Sequence, residues 1–114
     1  MSDIFIKNVQ YSEALTLGDL VEYQDGQVVS RTLAQPKGFN LTLFALAAGE
    51  GISTHSTPGD ALVQILDGEA EITIGGFTHT VGAGQSIVMP ANVPHGLEAR
   101  QRFKMFLTVV KMAA

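Results

Sequence analysis

The sequence predicts an all-β domain, and three observations carry that prediction. Apolar and polar residues alternate in short runs, turn-forming residues punctuate the runs, and no stretch shows the i, i+3, i+4 stripe of an amphipathic helix. The chain has 114 residues, 46% of them hydrophobic and 16% charged, which suits one domain around one core. About eight to ten short strands at about ten-residue spacing predict a sandwich or barrel.

The elements follow in order. Ser12–Leu15 is long enough for one helical turn at most. Asp25-Gly26 marks a turn between strands over Leu20–Gln24 and Gln27–Gln35, and Pro36-Lys37-Gly38 a second turn into a strand that starts near Phe39. Leu41–Leu46, Ala61–Leu66, Ala70–Ile74 and Phe77–Val81 then read as strands. Glu69, Glu71 and Thr73 alternate with Ala70, Ile72 and Ile74, so the second set faces inward. Asp67-Gly68, flanked by apolar runs, predicts a two-residue type I′ hairpin, and Gly75-Gly76 a second one.

The last strand covers Phe103–Lys111. Phe103, Met105, Leu107 and Val109 lie on one face, Phe106 and Val110 on the other. A strand that is apolar on both faces needs cover on both. The expected cover is a second copy of the chain, in a homodimer with Phe106 and Ile4-Phe5-Ile6 at a two-fold interface.

Charge and composition exclude several functions. Seven Lys and Arg against eleven Asp and Glu give a net charge of −4, without the basic stripe of a nucleic-acid-binding protein. Four of the basic residues, Arg100, Arg102, Lys104 and Lys111, lie near the C-terminal end. The absence of cysteine removes disulfides, thiolate metal sites and cysteine nucleophiles. The longest apolar stretch, Leu41–Ala48, is far short of the roughly 20 residues of a membrane span. No basic segment followed by an apolar one opens the chain. The expectation is a cytoplasmic protein whose partner is a small molecule, with neither nucleic acid nor membrane.

Three histidines carry the candidate chemistry: His55, His79 and His95. His55 lies in a loop that begins at Gly49 and leads into a strand, and His95 follows Pro90-Ala91-Asn92-Val93-Pro94. His79 shares its strand phase with Phe77 and Val81, both expected inward. A Ser–His–Asp triad could be spelled with Ser53 or Ser56, His95 and Asp60, but no G-x-S-x-G turn is present. Glu69 and Glu71 are expected to face water, which argues against paired-carboxylate glycoside chemistry. Met89, Met105 and Met112 sit among apolar strand positions and read as core or interface packing.

The spacing of these residues resembles the motifs of the small single-domain cupins. Their first motif reads G-x5-H-x-H-x3–4-E-x6-G and their second G-x5-P-x-G-x2-H-x3-N. Gly49, His55 and Gly68 match the first, and Gly84, Pro90 and His95 the second. The resemblance implies an RmlC-like jelly-roll barrel, the cupin-type double-stranded β-helix, as one domain over 1–114. Residues 1–38 would form N-terminal strands and 39–111 the core barrel with both motifs. It also implies a divalent metal such as iron, manganese, nickel, copper or zinc. Of its four ligand positions only His55 and His95 keep a ligand, while Thr57 and Ala61 (Leu62 at the longer spacing) replace the second His and the Glu. Asn92 and Ala99 stand where the second motif has Gly and Asn. Asp60 lies one residue from the Glu position, and a one-residue shift turns a strand side chain to the other face.

The combined reading is a small-molecule-binding cupin with a degenerate metal site. Its pocket is lined by His55, Thr57, Gln64, His79 and His95, with His55 and His95 the remaining metal positions and no cofactor certain. The ligand is expected to be sugar- or carboxylate-like. The alternative is a metal-dependent enzyme of the dioxygenase or sugar isomerase type, built on His55 and His95.

Overall fold

A computed structural model describes residues 5–112. Eight strands follow a short 3-10 helix, η1 (Leu17–Leu20): β1 (Val28–Ala34), β2 (Phe39–Leu46), β3 (Gly51–His55), β4 (Asp60–Ile74), β5 (Phe77–Gly82), β6 (Ser86–Met89), β7 (His95–Glu98) and β8 (Phe103–Val110). All strand pairs are antiparallel. The backbone path runs β1-β2-β8-β4-β7-β3, with β5 and β6 also paired to β4.

The long strand β4 organises the barrel. Its first half, from Asp60 to Gly68, pairs with β8 and with β6, and its second half, from Glu69 to Ile74, pairs with β5 and β7. One strand therefore belongs to both sheets, and the space between them is the core. Ala61, Val63 and Ile65 of the first half and Ala70 and Ile72 of the second all enter that core, with Phe103, Met105 and Leu97. The inward phase changes from odd to even residues across Leu66, where the β4–β8 register slips by one. A β-bulge of this kind bends a strand and resets its faces.

That bulge replaces the hairpin expected at Asp67-Gly68. Both residues continue β4, paired with Lys104 and Phe103 across the sheet. Gly68 does adopt the left-handed backbone, with φ of +75°, but within a strand crossing between two sheets. The Gly75-Gly76 turn is present, between β4 and β5, with φ of +56° and +88°. Both values have the sign a type I′ turn requires.

The N-terminal part also differs from expectation. Leu20–Gln24 is not a strand: Leu20 ends η1, and the first strand among the described residues is β1 at Val28. This segment straps the outer face of β8 instead of extending the sheet. Val21 is buried with Leu33, Leu43 and Ala45, and Leu17, Leu20, Tyr23 and Phe106 pack around them. Lys104 Nζ donates to the Gly18 carbonyl at 2.6 Å, and the Arg102 guanidinium lies 4.3 Å from the centre of the Tyr23 ring. Phe106 thus finds its cover inside its own chain. Ile4 lies outside the described residues, while Phe5 is 80% exposed. Among the described residues no helix is long and apolar enough to cross a membrane.

Candidate ligand-binding site

The barrel interior is not completely filled. A cavity of about 380 Å³ opens between the sheets, walled by Phe44, Ile52, Met89, Leu97, Met105, Leu107 and Val109 and edged by His55, Thr57, Ala61 and His95. Among the described residues no Asp, Glu, Lys or Arg lines it. An apolar bay with a few convergent polar groups is the usual form of a small-molecule site.

A second bulge aims the histidines. Ile52 pairs with Leu97 but His55 pairs with His95, so the register of β3 on β7 slips by one residue over Ser53-Thr54. Without the slip, Thr54 would stand opposite His95 and His55 would turn to the outer face. With it, Ile52, His55 and Thr57 all reach the cavity. Gly96 lies opposite the bulge and leaves it room: a Cβ there would be 3.0 Å from Thr54 Oγ1.

The two imidazoles meet edge to face, with ring centres 4.5 Å apart and planes at 67°. His95 is 2% exposed, whereas His55 stands at the rim and is exposed. Their hydrogen bonds define their tautomers. Nδ1–H of His55 donates to the Ser53 carbonyl at 2.8 Å, and Nδ1–H of His95 to the Val93 carbonyl at 3.1 Å. A carbonyl only accepts, so each Nδ1 carries the hydrogen and each neutral ring keeps its lone pair on Nε2. The Thr57 hydroxyl donates to the Gly59 carbonyl at 3.1 Å, which leaves its oxygen as an acceptor too. Every side-chain polar group of the cavity therefore accepts hydrogen bonds.

The structure brings His55, Thr57 and His95 together and places Gln64 and His79 elsewhere. Gln64 alternates with Val63 and Ile65 on β4, whose side chains fill the core, so it faces the opposite side. His79 is exposed on β5, where Phe77 is 74% exposed and only Val81 of that phase is buried. The strand β5 has one partner, β4, and lies at the edge of its sheet; His79 is exposed although the residue it pairs with, Ile72, is fully buried. Sequence reasoning missed the apolar wall of Phe44, Ile52, Leu107 and Val109, although the alternation of β8 signals the last two.

The fold is a β-barrel of two sheets that share one strand and enclose an apolar cavity. The family model of the cupin domain matches residues 42–110, and the chain belongs to the cupin family. A Geobacter sulfurreducens protein described as a pyrimidine/purine nucleoside phosphorylase is 39% identical over 72 residues, 61% of this chain and 67% of that protein. The structure of a conserved Streptococcus pyogenes protein of unknown function matches with a TM-score of 0.94 and 46% identity, over 100% of this chain and 98% of that one. A cupin superfamily protein from Desulfitobacterium hafniense gives 0.90 and 33%, over 94% and 98%.

All four cupin metal-ligand positions, His55, Thr57, Ala61 and His95, line the cavity. The donors present do not fit the divalent metal that the fold family implies. A first-row ion takes about three or four protein ligands, with a carboxylate in the facial triad. Here a methyl group replaces the carboxylate at Ala61, and the Thr57 hydroxyl is a poor ligand. Among the described residues no three of His, Asp and Glu converge. Asp60 accepts the Ala91 N–H at 2.8 Å, while Glu50 and Glu98 line a separate groove with Arg100.

Proposed function

We propose that this cupin binds a small molecule whose neutral ring enters the barrel and presents N–H or O–H donors to it. The observation that supports this most directly is the set of acceptors in an apolar bay: Nε2 of His55, Nε2 of His95 and Oγ1 of Thr57. A donor-bearing ring satisfies them, while its flat faces fill the space between Ile52, Leu97 and Leu107. A carboxylate in the same place would meet acceptors only, and its burial without donors is costly. A bare sugar would bring many hydroxyls to a wall that offers few partners.

The test is thermal unfolding against a panel of purine and pyrimidine bases, their nucleosides, phenols and simple sugars. Ring-bearing donors are expected to raise the melting temperature of the wild type, as any ligand selective for the native state does. The gain is expected to vanish in Ala61→Leu, which fills the bay. Stabilisation by sugars alone, or equal stabilisation of Ala61→Leu, would overturn the proposal.

A second reading, nucleoside phosphorolysis, is favoured by the similarity to the Geobacter proteins described as pyrimidine/purine nucleoside phosphorylases. In that reading the base would occupy the acceptor-lined bay. Phosphate would have to bind outside it, because among the described residues no cation lines the bay. Release of free base from a nucleoside only when inorganic phosphate is added would establish this activity.

A further inference from the structure

We infer that the mouth of the cavity is an anion subsite formed by Lys111, so that the barrel takes a neutral ring inside and an anionic oxygen group at its rim. The inference rests on the ring-binding reading of the bay and adds the second half of the ligand. The strand β8 provides the first argument. Met105, Leu107 and Val109 line the bay, and side chains alternate across a strand. Lys111 is the next residue in that inward phase, just past the end of β8 at Val110. Its backbone N–H donates to the Gly38 carbonyl at 2.7 Å, which fixes its Cα to the barrel rim.

The second argument is continuity. A cleft of mixed character, with Gln35, Asn40 and Lys111 beside Pro36, Phe39 and Pro58, shares Thr57 and Val109 with the bay. The two spaces therefore adjoin the same two side chains, which sets Lys111 beside the bay. Asn40 accepts the Thr42 hydroxyl through Oδ1, which leaves its amide N–H groups as donors on the cleft wall.

The third argument is charge. Among the described residues no carboxylate lines bay or cleft, and Lys111 is their one cation. Asp60, which pairs across the sheet with Val110, has the opposite phase from inward Ala61 on β4 and is held by the Ala91 N–H. On a chain of net charge −4, a single ammonium at the mouth of a charge-free bay draws anions to that opening. It also stays hydrated while its stem lies along the apolar rim.

Two fluorescent probes of one shape separate the halves. 8-Anilinonaphthalene-1-sulfonate carries an anion, and N-phenyl-1-naphthylamine is its neutral counterpart. Both are expected to bind the wild type, and both to be lost in Ala61→Leu or, should that variant fold poorly, in Leu107→Phe. Lys111→Gln is expected to weaken the sulfonate probe about fivefold, the upper range for a partly exposed charge pair, and to leave the neutral probe unchanged. Lys111→Arg should restore the sulfonate affinity, and added salt should weaken that probe alone. Equal effects of Lys111→Gln on both probes, or none on either, would overturn the anion subsite while leaving the bay intact. Failure of both probes to bind the wild type would overturn the ring-binding reading and the subsite with it. Inorganic phosphate that displaces only the sulfonate probe would support the subsite and assign the anion to a free co-substrate. Displacement by aromatic carboxylates but not by phosphate would support it as the head of the ligand itself.

Discussion

Replacing Gly68 by alanine tests the reassignment of Asp67-Gly68 from a hairpin to a crossing strand. Two costs add at this position. A left-handed backbone, here φ of +75°, costs a residue with a Cβ about 1–2 kcal/mol. The new Cβ would also lie 2.1 Å from the Arg102 carbonyl oxygen and 3.0 Å from Phe103 Cα, against about 3.3 Å for the closest ordinary carbon–oxygen approach. Relief requires β4 and β8 to part by about 1 Å beside Phe103, which is fully buried, and overpacking of that kind costs about 1–3 kcal/mol. The sum, about 2–5 kcal/mol, is a large part of the roughly 5–15 kcal/mol that stabilises a domain. Gly76→Ala is the control, because Gly76 has φ of +88° but nothing within 4 Å of the place its methyl group would take. It should lose only the backbone share. In urea, with a slope of about 1–3 kcal/mol per molar, the Gly68→Ala midpoint should fall about 0.5–1.5 M below that of Gly76→Ala. Coincident midpoints would refute the close β4–β8 approach.

Three further outcomes follow from the same structure. Elemental analysis of untagged protein, prepared without chelator, should find less than about a tenth of an equivalent of iron, manganese, nickel, copper or zinc; about one equivalent, lost in both His55→Ala and His95→Ala but kept in His79→Ala, would restore the metal site. Burial, followed by the Asp67 carboxylate that accepts its hydrogen at 2.5 Å, raises the Tyr23 phenol above its ordinary value near 10. The folded state then holds that proton more tightly than the unfolded one, so the contribution is full below about pH 10 and declines as pH rises beyond it; wild-type stability should fall more steeply there than that of Tyr23→Phe, and equal slopes would remove Tyr23 as the cause. A homodimer remains our proposal, through the exposed Phe5, Ile6 and Phe39 rather than the internally covered Phe106, and light scattering should give about twice the 12.1 kDa of one chain; a mass of one chain would exclude it.

What the sequence made legible was what neighbours in the chain decide. The alternation of Phe103, Met105, Leu107 and Val109 marks the inward face of β8, and the glycine pair at 75–76 marks a turn because both residues need positive φ. What it hid was decided by distant partners. Asp67-Gly68 carries the local chemistry of a hairpin, and only the presence of Arg102 and Phe103 across the sheet makes it a strand. The outer face of Phe106 does need cover, but alternation cannot distinguish a second copy from the Leu17–Tyr23 strap that packs there. The site has the same character. A strict period of two from Ile52 would put Thr54 and Ser56 in the barrel and His55 outside, yet the register slip against β7 reverses this. The motif spacing finds His55 and His95 without explaining how they meet, because a motif preserves the outcome of a bulge that strand alternation cannot represent. His79 shows the converse error: its phase is inward by alternation, but a face is buried only as far as the opposite sheet extends. The reliable local signal is therefore which residues share a face, and the opposing sheet decides which part of that face becomes a site.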